Sequence, residues 1–181
     1  MHILAVHILD SERLRLRWFE PRDAAFVCGL LNEPSWLRHI GDRGVRTEAQ
    51  AAAWIEDRLV ASYRRQGFGF WAVERRTDGE LVGMCGLTHR DGLAAPDLGF
   101  AFRPAHWGHG YAREAAAACL RYGHERLGMP VVLAITGPEN QASARVLTAI
   151  GMRAIGGLLR VTEHHSRLFV WRAPGAAGSS A

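Results

Sequence analysis

The stretch from Asp97 to Ala115 (Asp-Leu-Gly-Phe-Ala-Phe-Arg-Pro-Ala-His-Trp-Gly-His-Gly-Tyr-Ala-Arg-Glu-Ala) constrains the fold more than any other part of the chain. Leu98, Phe100 and Phe102 alternate with Asp97, Gly99 and Ala101, a period of two that predicts a strand with one bulky and one small face. Pro104 ends it. From Tyr111 to Leu127 the chain is rich in Ala and free of Pro, and Gly128 followed by Pro130 is a stop signal, so a helix starts near Gly110. The first turn of such a helix presents unpaired backbone N–H groups and roughly half a positive charge, which suits an anion. Gly108 and Gly110 leave room for a pyrophosphate to approach the backbone. The segment reads either as a tight strand-to-helix turn or as the site of a phosphate-bearing cofactor.

Two common phosphate sites do not fit. A P-loop needs a lysine after its last glycine, and all 22 basic residues of this chain are arginine. A dinucleotide fingerprint needs a third glycine where Arg113 stands, and an acidic residue about twenty positions on, where Met129, Pro130 and Val131 stand. The remaining candidate is the coenzyme A loop of acetyltransferases, which the rest of the chain must decide.

At 181 residues and 48% hydrophobic composition, the chain is expected to form one domain with its own core. The net charge of +4 comes from arginines interleaved with acids, which describes a solvated surface and not a nucleic-acid groove. Cys28, Cys85 and Cys119 are odd in number and widely spaced, which points to a reducing compartment, the cytoplasm, without structural disulfides or zinc. The apolar opening, residues 1–9, is too short to span a membrane and lacks the flanks of a signal peptide, so no membrane partner is expected. It reads as an extra strand or a loose extension.

Taken in order, residues 1–10 form an N-terminal extension, 11–172 a single domain, and 173–181, small and polar, a disordered tail. Arg13 to Phe19 alternates as a first strand. Asp23 is expected to cap a helix to about Leu31, and Thr47 with Gln50 resembles a capping box for a second helix through Tyr63. Between them, Asn32 to Arg46 is a loop with Trp36 and His39. Gly69–Glu74 and Glu80–Thr88 form a hairpin through Thr77-Asp78-Gly79. Val131 to Thr136 is a buried strand, parallel to the one from Asp97 because a helix separates them. Asn140 caps a short helix through Ile150, and Leu158–Thr162 with Arg167–Trp171 closes the fold as a hairpin.

The segment Gly137-Pro-Glu-Asn-Gln-Ala-Ser-Ala-Arg-Val-Leu-Thr-Ala-Ile-Gly-Met152 resembles the Pro-x-Asn-x-x-Ser-x-Arg-x-Leu segment of the GNAT superfamily of N-acetyltransferases. Trp107 to Ala112 upstream, Glu12 to Arg17 and Pro21-Arg-Asp23 are similar to its RimJ/RimL-like branch, the ribosomal-protein N-acetyltransferases. The likeness spans Ser11 to Arg172. It implies an α/β (α+β) fold in which a central mixed, mostly antiparallel sheet, flanked by helices, splays between two parallel strands. The co-substrate implied is acetyl-CoA, with no metal.

Carried over, the likeness places the pyrophosphate on Trp107, Gly108, His109, Gly110, Tyr111 and Ala112. The pantetheine pairs near Phe102 and with Asn140, and Arg145 completes the cofactor set. Ser143 is the candidate general acid near the sulfur, although an alkyl thiol with a pKa near ~8.5 needs little help in leaving. Family members often carry an acid where Ile155 stands, so Asp97 is the first choice of base, with His89, His164 and His165 in reserve. Ala105 also departs from the family's Gln or Arg, and Thr148-Ala149-Ile150 from its Glu-Lys-Leu.

Acyl transfer by direct attack on a primary amine follows from the resemblance. With the usual base missing, an α-amine at about 7.7 to 8.0 is favoured over a lysine side chain at about 10.4. The acceptor is thus a protein N-terminus or a small amine, a homodimer is compatible, and a catalytically silent acyl-CoA-binding module is the rival.

Overall fold

The computed structural model describes residues 5–160 and 165–175. Along the chain come β1 (His7–Asp10), β2 (Leu14–Arg17), α1 (Ala24–Leu31), α2 (Pro34–His39), α3 (Glu48–Trp54), α4 (Ala61–Gln66), β3 (Phe70–Arg75) and β4 (Leu81–Thr88). They are followed by β5 (Asp97–Phe102), α5 (Tyr111–Glu125), β6 (Val131–Thr136), α6 (Gln141–Ala149), β7 (Arg153–Arg160) and β8 (His165–Arg172). The strands make one sheet in the order β1-β2-β3-β4-β5-β6-β8-β7. Every neighbouring pair is antiparallel except β5 with β6. This is the mixed α/β sheet with flanking helices that the sequence implied.

The two faces follow from strand alternation. Cys85 and Leu87 of β4 turn toward α5, where Cys85 Sγ lies 3.6 Å from Cys119 Sγ and a Cβ on Gly123 would sit 2.9 Å from Leu87 Cδ1. Their partners Phe100 and Leu98 share that face. Asp97, Gly99, Ala101 and the following Arg103 therefore look to the other side, where α1 lies: the Arg103 guanidinium is 5.5 Å from the Phe26 ring and fills the space beside Gly29. Trp71, Leu14, Leu16, Val73 and Val82 are fully buried and make the core continuous through the sheet.

Local signals hold where they were strong. Thr47 and Gln50 form the capping box of α3, with Gln50 N donating to Thr47 Oγ1 at 3.2 Å. The helix they start continues past Tyr63: Ile55–Val60 is a π-helical stretch, and α4 ends at Gly67, whose φ of 81° closes it. The expected loop from Asn32 to Arg46 contains α2, which starts on Pro34. Residues of the N-terminal extension form β1, and β7 begins at Arg153, ahead of the expected Leu158, with its register shifting between Ile155 and Leu159. Ala173, placed by the sequence reading in a disordered tail, is buried and donates from its N–H to Pro130 O at 2.9 Å. Val161, Thr162, His164 and 176–181 lie outside the described residues.

Asp23 precedes α1 as expected, yet its carboxylate makes no bond to that helix. It accepts from Glu20 N at 2.9 Å and bidentately from Arg17, at 2.7 and 3.0 Å. Arg17 also donates from Nε to Glu74 at 2.6 Å and from Nη1 to Trp18 O at 2.9 Å. Burial works against the Arg17 charge, but the hydrogen bonds to Asp23 and Glu74 prevail and raise its proton affinity. Because the pair is buried, Asp23→Ala strands a charge between β2 and α1. The variant should lose about 3 kcal/mol of unfolding free energy in urea titration, the lower end for a broken buried pair because Glu74 stays in place.

Candidate active site

β5 and β6 meet at one register pair, Asp97 with Leu133, where Leu133 N donates to Pro96 O at 2.8 Å, and then part. Arg103 N donates to Val82 O at 3.1 Å, so the alternation of the β4–β5 ladder turns the N–H and C=O of Leu98, Phe100 and Phe102 toward β6. Beyond Asp97 these groups face a gap between two strands that each keep a full ladder on their other side. The expected pairing edge at Phe102 is thus present, with one change. Phe102 O already accepts from Trp107 Nε1 at 2.8 Å, leaving Phe100 and the Phe102 N–H as open groups.

The loop at the open end is built by its own side chains and by the turn that precedes β2. Trp107 stays half exposed while its indole ties the loop to the strand end. His109 Nδ1 lies 2.9 Å from Trp107 O and 3.2 Å from His106 O; both are acceptors, so Nδ1 carries the proton. The His109 ring stacks on Tyr111 at 5.5 Å. Gly108 and Gly110 have φ of 78° and 79°, a region other residues seldom adopt, and a Cβ on Gly108 would meet nothing within 4 Å. Gly110 is the N-cap of α5 and supplies no side-chain cap, so the N–H groups of Tyr111 and Ala112 remain as donors.

A long-range clamp missing from the sequence reading fixes this loop. Glu114, in the first turn of α5, accepts from Ser11 Oγ at 2.6 Å, Arg13 N at 2.7 Å and Arg13 Nε at 2.7 Å. Arg13 Nη1 donates to His109 O at 2.9 Å, and its guanidinium lies 4.8 Å from the Tyr111 ring centre. The only sequence trace of the clamp is a glutamate at the fourth position after Gly110, an ordinary choice for a first helical turn.

Across the gap, Asn140 caps α6 by accepting from Ser143 N at 3.1 Å, which leaves its Nδ2 as a donor. Ser143 is half buried and Arg145 exposed on the same helix. Thr136, at the end of β6, has a buried Oγ1 without a partner. Asp97 stands at the closed end, about 16 Å along β5 from Phe102. It is 1% exposed; Oδ2 accepts from Arg90 Nη2 at 3.2 Å and Nε at 3.3 Å, and Oδ1 has no partner. Burial raises its proton affinity, against the opposing charges of Arg90 and His89. The loop, Phe102, Asn140 and Ser143 therefore bracket the open end of the gap, while Asp97 is apart from them. His89 and His165 are exposed, and His164 lies outside the described residues. Among the described residues no group of three His, Cys, Asp or Glu side chains could hold a metal ion, and no helix is long and apolar enough to cross a membrane.

A sheet parted beside a glycine-lined helix N-terminus leaves a slot with free backbone groups along one wall and amide donors at its open end. The sequence matches the acetyltransferase (GNAT) domain family over residues 13–153, and the chain belongs to that family. It is 36% identical over 149 residues to YkkB of Bacillus subtilis, covering 80% of this chain and 84% of that protein. It is 29% identical over 156 residues to the N-acetyltransferase YoaA of the same organism, covering 83% and 85%. A GNAT-family acetyltransferase from Bacillus anthracis has a similar structure, with a TM-score of 0.73, 26% identity and coverage of 91% and 96%. RimL, the ribosomal L7/L12 α-N-protein acetyltransferase in complex with coenzyme A, shares the fold at a TM-score of 0.76 and 15% identity, covering 92% and 97%. The chain is an N-acetyltransferase.

The clamp gives a pH signature. Burial of Glu114 alone would raise its pKa, but the bonds from Ser11 and Arg13 outweigh it and hold the value below the usual 4.5. Its stabilisation is therefore complete above about pH 4.5 and is lost as pH falls through the lower folded value. Glu114→Gln, which sets an amide against the Arg13 guanidinium, should cost about 2 kcal/mol at pH 7 and flatten the acid side of the stability profile, followed by urea unfolding across pH 3 to 7.

Proposed function

We propose that the enzyme transfers the acetyl group of acetyl-CoA to a primary amine, a protein N-terminal α-amine or a small-molecule amine, in the manner of RimJ/RimL-like acetyltransferases. The observation that carries this reading is the parted β5–β6 edge leading straight to the open N–H groups at Gly110–Ala112. Open donors beside two glycines fit a pyrophosphate, and an unpaired strand edge fits the amides of a pantetheine arm. Trp107, Gly108, His109, Gly110, Tyr111 and Ala112 hold the phosphates. Phe100 and Phe102 pair with the arm, Asn140 reaches it through Nδ2, and Arg145 lies exposed beside it. A catalytically silent binding module has no observation in its favour.

When bound, acetyl-CoA supplies a reactive thioester. The chain holds and orients it, and manages protons. Asp97 is the base and acts through water, because its buried Oδ1 stands apart from Ser143 and the open end: a carboxylate with raised proton affinity and one unpartnered oxygen takes the proton of the attacking amine by that relay. Ser143 donates toward the departing thiolate. The α-amine preference rests on amine basicity, since RimL at its low identity supports the fold alone.

The direct test is thiol release from acetyl-CoA with a panel of peptides and small amines. A preference for lysine side chains over N-termini would overturn the α-amine reading. Asp97→Asn should lower kcat by about 10²- to 10⁴-fold and remove the fall in rate as pH drops through the raised Asp97 pKa. Ser143→Ala should lower kcat modestly; full kcat in that variant removes Ser143 from the reaction. Glu114→Gln, by loosening the phosphate loop, should raise KM for acetyl-CoA by about fivefold, the equivalent of roughly 1 kcal/mol.

A further inference from the structure

We infer that the acceptor carries an apolar group, branched aliphatic or aromatic, beside its amine, and that this group lies on the sheet face turned away from α5, between the Phe70 ring and a row made by Ile135, Leu168 and Ile155. This rests on the acetyl-transfer reading and names the class of its acceptor.

The side of approach follows from the packing. α5 packs on β4 and β5, and α6 packs on β6 and against α5, so helices close one face of the parted strands. The other face carries Asp97 and Gly99 of β5 and, through the register pair of Asp97 with Leu133, also Leu133 and Ile135 of β6. Among the described residues no helix packs on this face of β6, β8 or β7. An amine that reaches a thioester held between the strands therefore comes from this side.

One row of residues crosses that face at the first step past the closed pair. Phe70, Gly86 and Gly99 stand in register across β3, β4 and β5, and Ile135, Leu168 and Ile155 across β6, β8 and β7. Gly86 has no side chain, so the Phe70 ring reaches over it, and a Cβ on Gly99 would lie 2.7 Å from Phe70 Cε1. An aromatic edge thus flanks the slot on one side and three branched aliphatic side chains on the other. Phe70, Ile135 and Leu168 are half-buried, and Ile155 is 41% exposed. Ile135, Leu168 and Ile155 lie outside the buried core, so a ligand that covers them removes apolar surface the fold leaves in water.

Charge offers a ligand little in this row. Along β5 the same face has Asp97 one step toward the closed end, its Oδ2 held by Arg90, and Arg103 two steps toward the open end, 3.7 Å from Glu33. Arg153 stands at the outer edge of the neighbouring row, with Val170 and Leu133. A second observation points to the same ligand: Asp97 Oδ1 is buried, has no partner, and belongs to this face one step from Gly99. A lone acceptor beside an apolar row matches a molecule with N–H donors, relayed by water, at one end and an apolar group at the other.

The test compares acceptors of matched shape, read as thiol release from acetyl-CoA: a peptide amide beginning with Leu against the same peptide beginning with Asn, and 3-methylbutylamine against β-alaninamide. The apolar member of at least one pair should show a kcat/KM higher by about tenfold, the lower end for burying a side chain of this size because the row is open to solvent. The responding pair tells a peptide from a small acceptor. Leu168→Asn should cut the preference about fivefold and Ile155→Asn about twofold, since Ile155 stands one strand, ~4.8 Å, further from the slot. Leu168→Met, which conserves volume and polarity, should keep it. The losses should fall on the acceptor's KM and leave the KM for acetyl-CoA unchanged. Ile155→Asn, at an exposed position, and Leu168→Met should unfold at the wild-type temperature, so the test stands even where Leu168→Asn is less stable. Equal or poorer turnover of both apolar members, a preference that Leu168→Asn leaves intact, or one that Leu168→Met abolishes overturns the inference and leaves acetyl transfer standing. A concentration-dependent dimer that Ile155→Asn dissociates assigns the row to a second copy of the chain and overturns it equally. Saturable binding of acetyl-CoA with no turnover of any amine overturns acetyl transfer, and this inference with it.

Discussion

An interior strand that loses its neighbour halfway along is the constraint on which the rest of this structure depends. Buried backbone N–H and C=O groups without partners are costly, and strands in the middle of a sheet normally avoid them completely. Here β5 and β6 share one register pair and then separate, with six paired positions on the far side of each holding them in place. Neither strand can close the gap without giving up its other ladder. The sheet therefore keeps a slot lined with directional hydrogen-bonding groups, and an extended chain of amides placed in it regains the pairing that β6 withholds. Such a ligand should bind the folded state alone and stabilise it by mass action.

The loop end of the slot shows how the fold manages charge. A helix N-terminus favours an acid in its first turn, and Glu114 provides one, yet a free carboxylate beside Gly108–Gly110 would repel a pyrophosphate. Ser11 and Arg13 resolve the conflict by occupying that carboxylate from the turn between β1 and β2, while Arg13 also holds the His109 carbonyl. The loop keeps a rigid attachment without a net negative field. The same N-terminal strand carries Arg17, whose bonds to Asp23 and Glu74 fix β2 against both β3 and the start of α1. Changes at the N-terminal edge can thus reach the glycine loop about a hundred residues away through contacts alone.

What the sequence disclosed was local. The period-two pattern of β5, the apolar run of β6, the Thr47–Gln50 box and the Asn140 cap are each written in residues within one turn or one strand of each other, and the structure has them. The splay followed from the family likeness, whereas the positive φ of Gly108 and Gly110 was not foreseen: their spacing gave only room for an anion to approach the backbone. Features joined across the chain were invisible: no spacing rule links Ser11 or Arg13 to Glu114, and nothing beside Asp23 announces that Arg17 will draw its carboxylate away from the helix. Gly156 and Gly157 hid the start of β7 by interrupting its apolar pattern at the register shift. The π-helical stretch was equally hidden, because Ile55, Leu59 and Val60 keep a spacing that an ordinary helix shares.

Asp97 joins the strand geometry to the proposed chemistry. A base in this position must hold a fixed orientation and still offer a lone pair, two demands that one oxygen cannot meet. The carboxylate divides them: Oδ2 is held by Arg90, and Oδ1 faces no protein donor. Burial makes the group more basic, while Arg90, the larger of the opposing charges, restrains that effect.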